Sequence, residues 1–270
     1  DAIVVCGTTG EGSTLSTTEQ LTLIAHAIRY VSGRCKVIAG CGSNDTAHAL
    51  ELSQTASAMG ADGLLLVTPY YNKCTQDGLL AHYLTIADAV TCPVIAYSVP
   101  GRTGMDISVE TCVRLSQHPN MNGIKEAGGD TAKAARILNE CGGDFFLWSG
   151  NDDQISPLVA LGAKGVISVL SNVRPRETMS LTHAALNGDQ QTAGRLQCEL
   201  NRDFARGNTE AAAARQMALL PLAQALFCEV NPIPVKRALE LEGFPVGAPR
   251  LPLTPLSDTD LPRLAAALGT

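Results

Sequence analysis

Gly123-Ile124-Lys125-Glu126-Ala127 decides how the rest of the chain is read. Met121-Asn122 precedes it and Gly128-Gly129-Asp130 follows, so an apolar run ends in a lysine, turns on small residues and enters a helix-like segment, residues 131–139. A lysine that merely ends a strand at the surface is the commoner case. At the C-terminal end of a strand facing a shared, partly dry cavity, burial disfavours the ammonium form, and the amine becomes a nucleophile near neutral pH. The neighbouring segments decide between the two.

Outward from Lys125 the same unit recurs: apolar strand, glycine-bearing turn, helix. Strands are expected at residues 3–6, 36–39, 63–67, 94–97, 123–125, 145–148 and 165–168. Helices are expected at 17–31, 46–59, 76–90, 108–117, 131–139 and 154–161, with helix or loop after Arg174. Ser16 or Thr17 caps the first helix, and Glu19 is the acid in its first turn. Strands alternating with helices imply a parallel sheet, and unbroken apolar runs such as Leu64-Leu65-Leu66 fit strands buried on both faces.

Thr8, Thr9, Tyr70, Tyr71, Tyr97, Arg102 and Lys125 all follow strands directly. In a (β/α)8 barrel those ends converge on one rim, which is the α/β fold expected here. Residues 1–173 are assigned to the barrel and 174–270 to a helical extension packing on it or at an oligomer contact. A doubly wound open sheet is the alternative, but no Gly-x-Gly-x-x-Gly follows the first strand. Seven strand segments are present where a closed barrel needs eight.

With 45% hydrophobic and 17% charged residues, the 270-residue chain can bury a sizeable core. A net charge of −6 argues against broad nucleic-acid binding and leaves a locally positive site for a small anion open. The nine cysteines (Cys6, Cys35, Cys41, Cys74, Cys92, Cys112, Cys141, Cys198, Cys228) are scattered, odd in number and without a C-x-x-C pair. Buried thiols in a reducing, cytoplasmic setting are expected, with neither disulfides nor a metal site. The histidines do not cluster, no leader is visible, and no apolar run reaches the ~20 residues of a membrane span.

The motifs Gly7-Thr8-Thr9-Gly10-Glu11, Thr68-Pro69-Tyr70-Tyr71-Asn72, Tyr97-Ser98-Val99-Pro100-Gly101-Arg102-Thr103-Gly104, Gly123–Ala127, Ser149-Gly150-Asn151-Asp152, Gly165-Val166-Ile167-Ser168-Val169 and Asn231-Pro232-Ile233-Pro234-Val235-Lys236 run nearly the length of the chain. In this order they resemble the dihydrodipicolinate synthase family of pyruvate-dependent class I aldolases. The resemblance implies a Schiff base between Lys125 and pyruvate, whose iminium is the electron sink for a methyl proton. The enamine then adds to aspartate semialdehyde, in lysine and diaminopimelate biosynthesis, without cofactor or metal.

By the same resemblance Tyr97 is the general acid/base, and Thr8 and Tyr71 complete a hydroxyl relay whose members both donate and accept. Thr8 and Thr9 bind the pyruvate carboxylate, with Gly150 and the Ile167 carbonyl also lining the substrate. Arg102 binds the second substrate's carboxylate, and Tyr71, with Tyr70 stacking beside it, reaches into a neighbouring subunit of a homotetramer. Related aldolases acting on sugar acids, N-acetylneuraminate or 4-hydroxy-2-oxoacids are the alternative enzymes, and an inactive truncated paralogue is the alternative from another class. Taken alone, Tyr97 could be a packed strand-end tyrosine, Tyr70 and Tyr71 ordinary interface aromatics, and Arg102 could pair with Asp106 at the surface. Glu11 and Glu126 read as structural.

The resemblance also marks departures. Members carry roughly one more strand and helix before the segment starting here at Asp1, so the first barrel strand is expected to be missing. Ser98 and Gly101 stand where asparagine and serine are frequent. Asn44 and Tyr70 match the lysine feedback site, whereas Thr17, Gln20 and His48 replace histidine, histidine and glutamate. Weak or absent lysine inhibition is expected.

Overall fold

The computed structural model describes residues 1–188 and 219–269. Six strands, β1 (Ala2–Val5), β2 (Lys36–Gly40), β3 (Gly63–Val67), β4 (Val94–Ser98), β5 (Met121–Glu126) and β6 (Phe146–Ser149), form one sheet in sequential order. Every neighbouring pair is parallel. Leu64, Leu65 and Leu66 are all buried, as expected for a parallel strand covered on both faces. A strand order without reversal has no topological switch point, which removes the doubly wound alternative.

The helices α1 (Thr17–Val31), α2 (Thr46–Ala58), α3 (Gln76–Asp88), the short α4 (Pro100–Thr103), α5 (Val109–Leu115) and α6 (Thr131–Glu140) fill the connections. Their starts are chemically specified. Ser16 accepts from the Glu19 N–H while the Glu19 carboxylate accepts from the Ser16 N–H, a closed capping box. Asp45, Thr75, Ser108 and Asp130 cap α2, α3, α5 and α6 by accepting from first-turn N–H groups, without the reciprocal bond. Excluding α4, each helix packs on the next, and Tyr83 of α3 ties this layer to the sheet by donating its hydroxyl to the Leu66 carbonyl at 3.0 Å.

One irregularity positions the rim. Val94 pairs with Met121, but Ile95 pairs with Gly123, so Asn122 is an extra residue on β5. Regular pairing from Val94 would set Tyr97 opposite Ile124; the bulge sets it opposite Lys125. Gly123 makes this possible. Its φ is +156°, and a Cβ there would lie 2.0 Å from the Phe146 carbonyl oxygen of β6.

The chain divides into two compact units, Asp1–Gly150 with Leu161–Lys164, and Asn151–Ala160 with Gly165–Thr270. The second contains α7 (Ile155–Ala160), α8 (Pro175–Leu186) and the helices Leu219–Ala225, Ile233–Leu241 and Leu261–Leu268. Within it the Asp152 carboxylate accepts from the N–H groups of Val169 and Leu170. The expected strand at 165–168 is corrected: it holds a single bridge residue, Val166. Gly165 at φ +142° precedes it, and the chain enters a 3-10 turn at Leu170–Asn172 soon after. The helical reading of residues 189–218, and Cys198, fall outside the described residues.

Candidate active site

Tyr97 and Lys125 are Cα partners on adjacent strands, and the Lys125 Nζ lies 4.3 Å from the centroid of the Tyr97 ring. Only 9% of Lys125 and 7% of Tyr97 are exposed, so the contact is sheltered from bulk water. A cation or amine over the ring face is attracted by the ring's quadrupole, the more so when desolvated. Burial raises the Tyr97 phenol above its ordinary range, while the nearby Arg102 charge and a side-chain hydrogen bond from Thr8 pull it back. The phenol is therefore held protonated at neutral pH, with a hydroxyl neighbour able to exchange protons with it.

Arg102 is brought close by α4, an element too short to show in the apolar pattern. The Thr103 hydroxyl of that turn donates to the Met105 carbonyl at 2.9 Å and accepts from the buried Thr68 at 3.0 Å, which anchors α4 to the end of β3. Arg102 itself is exposed. Thr9 is half-buried in the turn after β1. Gly150 closes β6, donating its N–H to the Glu126 carbonyl at 2.7 Å, and a Cβ at this position would meet Ala127 at 2.5 Å.

The structure thus brings Thr8, Tyr97, Arg102 and Lys125 together. Tyr71 does not join them within the chain. It has φ +74°, and 91% of the residue is exposed, while Tyr70 is half-buried. The turn carrying both is tied down by Asn72, whose amide donates to the Asn44 carbonyl at 2.8 Å. Ile167 belongs to the second compact unit.

The suggested pairing of Arg102 with Asp106 is corrected. Asp106 accepts from the Ser98 hydroxyl at 2.7 Å and pairs with Lys133. Lys133 also meets the buried Glu126 at 2.9 Å, and Glu126 accepts from the Gly128 N–H at 2.6 Å. Glu126, read as structural from its sequence context, thus has both a side-chain and a backbone partner. Lys133 was missed, although a signal existed: a lysine in the first turn of a helix opposes the macrodipole and needs compensating charge.

Thr17 and His48 stand 3.1 Å apart through Oγ1 and Nε2, with the His48 Nδ1 3.4 Å from the Ser43 hydroxyl. Gln20 is buried and donates to the Gly12 carbonyl at 2.6 Å. Among the described residues no group of three His, Cys, Asp or Glu side chains could hold a metal, and no helix is long and apolar enough to cross a membrane. The eight described cysteines are free thiols, and burial pushes Cys6 and Cys141 up to about 11.

Residues 1–202 and 198–270 match the sequence pattern of the dihydrodipicolinate synthetase family. The chain belongs to this family. A family relative from Exiguobacterium sibiricum, named 4-hydroxy-tetrahydrodipicolinate synthase, is 50% identical over 95% of this chain and 81% of its own. A solved dihydrodipicolinate synthase from Acinetobacter baumannii, described as complexed with pyruvate, superposes with a TM-score of 0.90 at 42% identity, covering 100% of this chain and 86% of that one. Another from Cyanidioschyzon merolae, described with lysine bound, gives a TM-score of 0.89 at 38% identity over 99% and 86%.

Proposed function

We propose that this chain is a 4-hydroxy-tetrahydrodipicolinate synthase, a Schiff-base lyase joining pyruvate to aspartate semialdehyde in lysine and diaminopimelate biosynthesis. The carrying observation is the sheltered rung on which the Lys125 Nζ lies 4.3 Å from the Tyr97 ring, in a member of this family. The Lys125 amine adds to the pyruvate ketone, and loss of water gives the iminium. That iminium accepts the electron pair left when a methyl proton departs, so the route needs no metal or cofactor. The enamine carbon then bonds to the semialdehyde aldehyde, whose oxygen takes a proton. The amine of the adduct displaces Lys125 as the ring closes and frees the enzyme.

Tyr97 moves the protons, through Thr8 and through Tyr71 of a neighbouring copy. The exposure of Tyr71 supports that reach, since a side chain this open is available to a second subunit. Tyr70 backs the same contact, in a homotetramer. Thr8 and Thr9 take the pyruvate carboxylate, with Gly150 beside it. Arg102 takes the carboxylate of the second substrate, bidentately. We read the six-stranded parallel sheet as part of a (β/α)8 barrel. A cytoplasmic location fits the free thiols.

The test is trapping. Incubation with pyruvate and borohydride should add one reduced pyruvate to the protein, and Lys125→Ala should abolish the adduct. Turnover of aspartate semialdehyde in preference to sugar-acid aldolase substrates should follow. No adduct on the native chain refutes the Schiff base, and preference for a sugar acid moves the chain to a sister activity.

A further inference from the structure

We propose that Lys133 is a positioning residue for this reaction: its ammonium joins the residue after Lys125 to the residue after Tyr97 and so holds the reacting pair in register. The role rests on the Schiff-base reading above.

Tyr97 and Lys125 form one rung of the β4–β5 ladder, and Ser98 and Glu126 form the next. Side chains of successive rungs point to opposite faces, so the second rung's groups lie behind the first. There Glu126 is 2% exposed and its carboxylate contacts the Lys133 ammonium at 2.9 Å. The other partner of that ammonium is Asp106, which accepts at 2.7 Å from Ser98, a fully buried residue. One lysine on α6 thereby closes a loop: Glu126, Lys133, Asp106, Ser98, and back across the ladder to Glu126.

Two carboxylates share one ammonium in a largely buried setting. Burial raises Glu126 above the ordinary carboxylate range, Lys133 and the Gly128 N–H oppose this, and Asp106 reinforces it. The Cys112 thiol of α5 also faces the group. Without Lys133 the Glu126 charge would be uncompensated, and removing one partner of a buried pair is costly. Glu126 would then take a proton or swing out, and either shifts the backbone that carries Lys125. Without the Asp106 charge, Glu126 would instead ionise more readily.

The experiment compares Lys133→Met, Lys133→Arg and Asp106→Asn in the full chain, reading borohydride-trapped adduct, kcat, KM and the pH profile of kcat. Lys133→Met should lower kcat about tenfold or more with a smaller change in KM for pyruvate, because the binding groups remain and their alignment is lost. Its acid limb should move to higher pH, and Lys133→Arg should restore much of the rate. Asp106→Asn, at a half-exposed site, should move the acid limb to lower pH. These opposite shifts are what a purely structural role lacks. If Lys133→Met does not fold, the Asp106→Asn shift decides, and an unmoved limb overturns the role. A native chain that traps pyruvate normally, beside a Lys133→Met variant of native rate and profile, overturns the positioning role alone. A native chain that traps none overturns the Schiff-base reading with it.

Discussion

Lys125 faces Tyr97 across the parallel ladder only because Asn122 is bulged out of β5. The approach of the Lys125 amine to the Tyr97 ring is thus set first by backbone register. A general acid/base must come within hydrogen-bond reach of the proton it moves, so register errors of one residue abolish the arrangement.

Tyr97→Phe keeps the ring beneath the Lys125 Nζ and removes the hydroxyl that Thr8 contacts. Turnover should fall by roughly 100-fold or more, the usual scale for losing a general acid/base, while the pyruvate adduct still forms more slowly. Steady-state rates beside borohydride trapping check this. Unchanged turnover removes Tyr97 from the relay.

Arg102→Ala deletes an exposed guanidinium close to Tyr97. The kcat/KM for aspartate semialdehyde should drop roughly 10- to 100-fold, corresponding to one lost charge-assisted contact, with the extent of pyruvate trapping unchanged. An equal loss for both substrates would place Arg102 in general upkeep of the site.

Lysine should inhibit weakly or not at all. His48 is engaged by Thr17 and Ser43, and Gln20 is buried against the Gly12 carbonyl, so no carboxylate stands among these three positions to hold an ammonium group. Losing that bond removes roughly 1.5–3 kcal/mol of binding. Titrating lysine into the assay checks the point, and half-inhibition at low millimolar concentration or below contradicts it.

Stability should decline as pH falls from neutrality toward 4, in part through His82. This side chain is 4% exposed, sits 2.9 Å from the Thr46 hydroxyl, and is lowered by burial from 6.5 to about 4. Between those values the unfolded chain binds the proton and the folded chain does not, so stability rises with pH across that window. The contribution is on the order of 3 kcal/mol at most. His82→Gln should flatten the dependence of Tm on pH there, and an unchanged slope would clear His82.

What the residues disclosed, and what they concealed, follows from the range of each interaction. Apolar runs such as Leu64-Leu65-Leu66 and local caps such as Ser16, Ser108 and Asp130 act within a few residues, so the strand–helix alternation is legible directly. Lys125, Tyr97 and Arg102 were legible through their motifs. The Asn122 bulge was not, because one half-buried polar residue in a short strand leaves the apolar pattern unchanged. The α4 turn was too brief to show a period. Residues 165–168 have strand composition, yet a ladder depends on partners that composition does not encode. The Asp106–Lys133 pair joins positions 27 residues apart, so the first-turn lysine signals a need for compensating charge without naming the partner that supplies it.

The β4–β5 pair carries the Lys125–Tyr97 contact on one face of the sheet and a salt-linked brace on the other. On the positioning role proposed above, turnover is tuned by groups that touch no substrate. Substitutions at Lys133 or Asp106 would then offer evolution, or an engineer, a dial that changes rate more than substrate affinity.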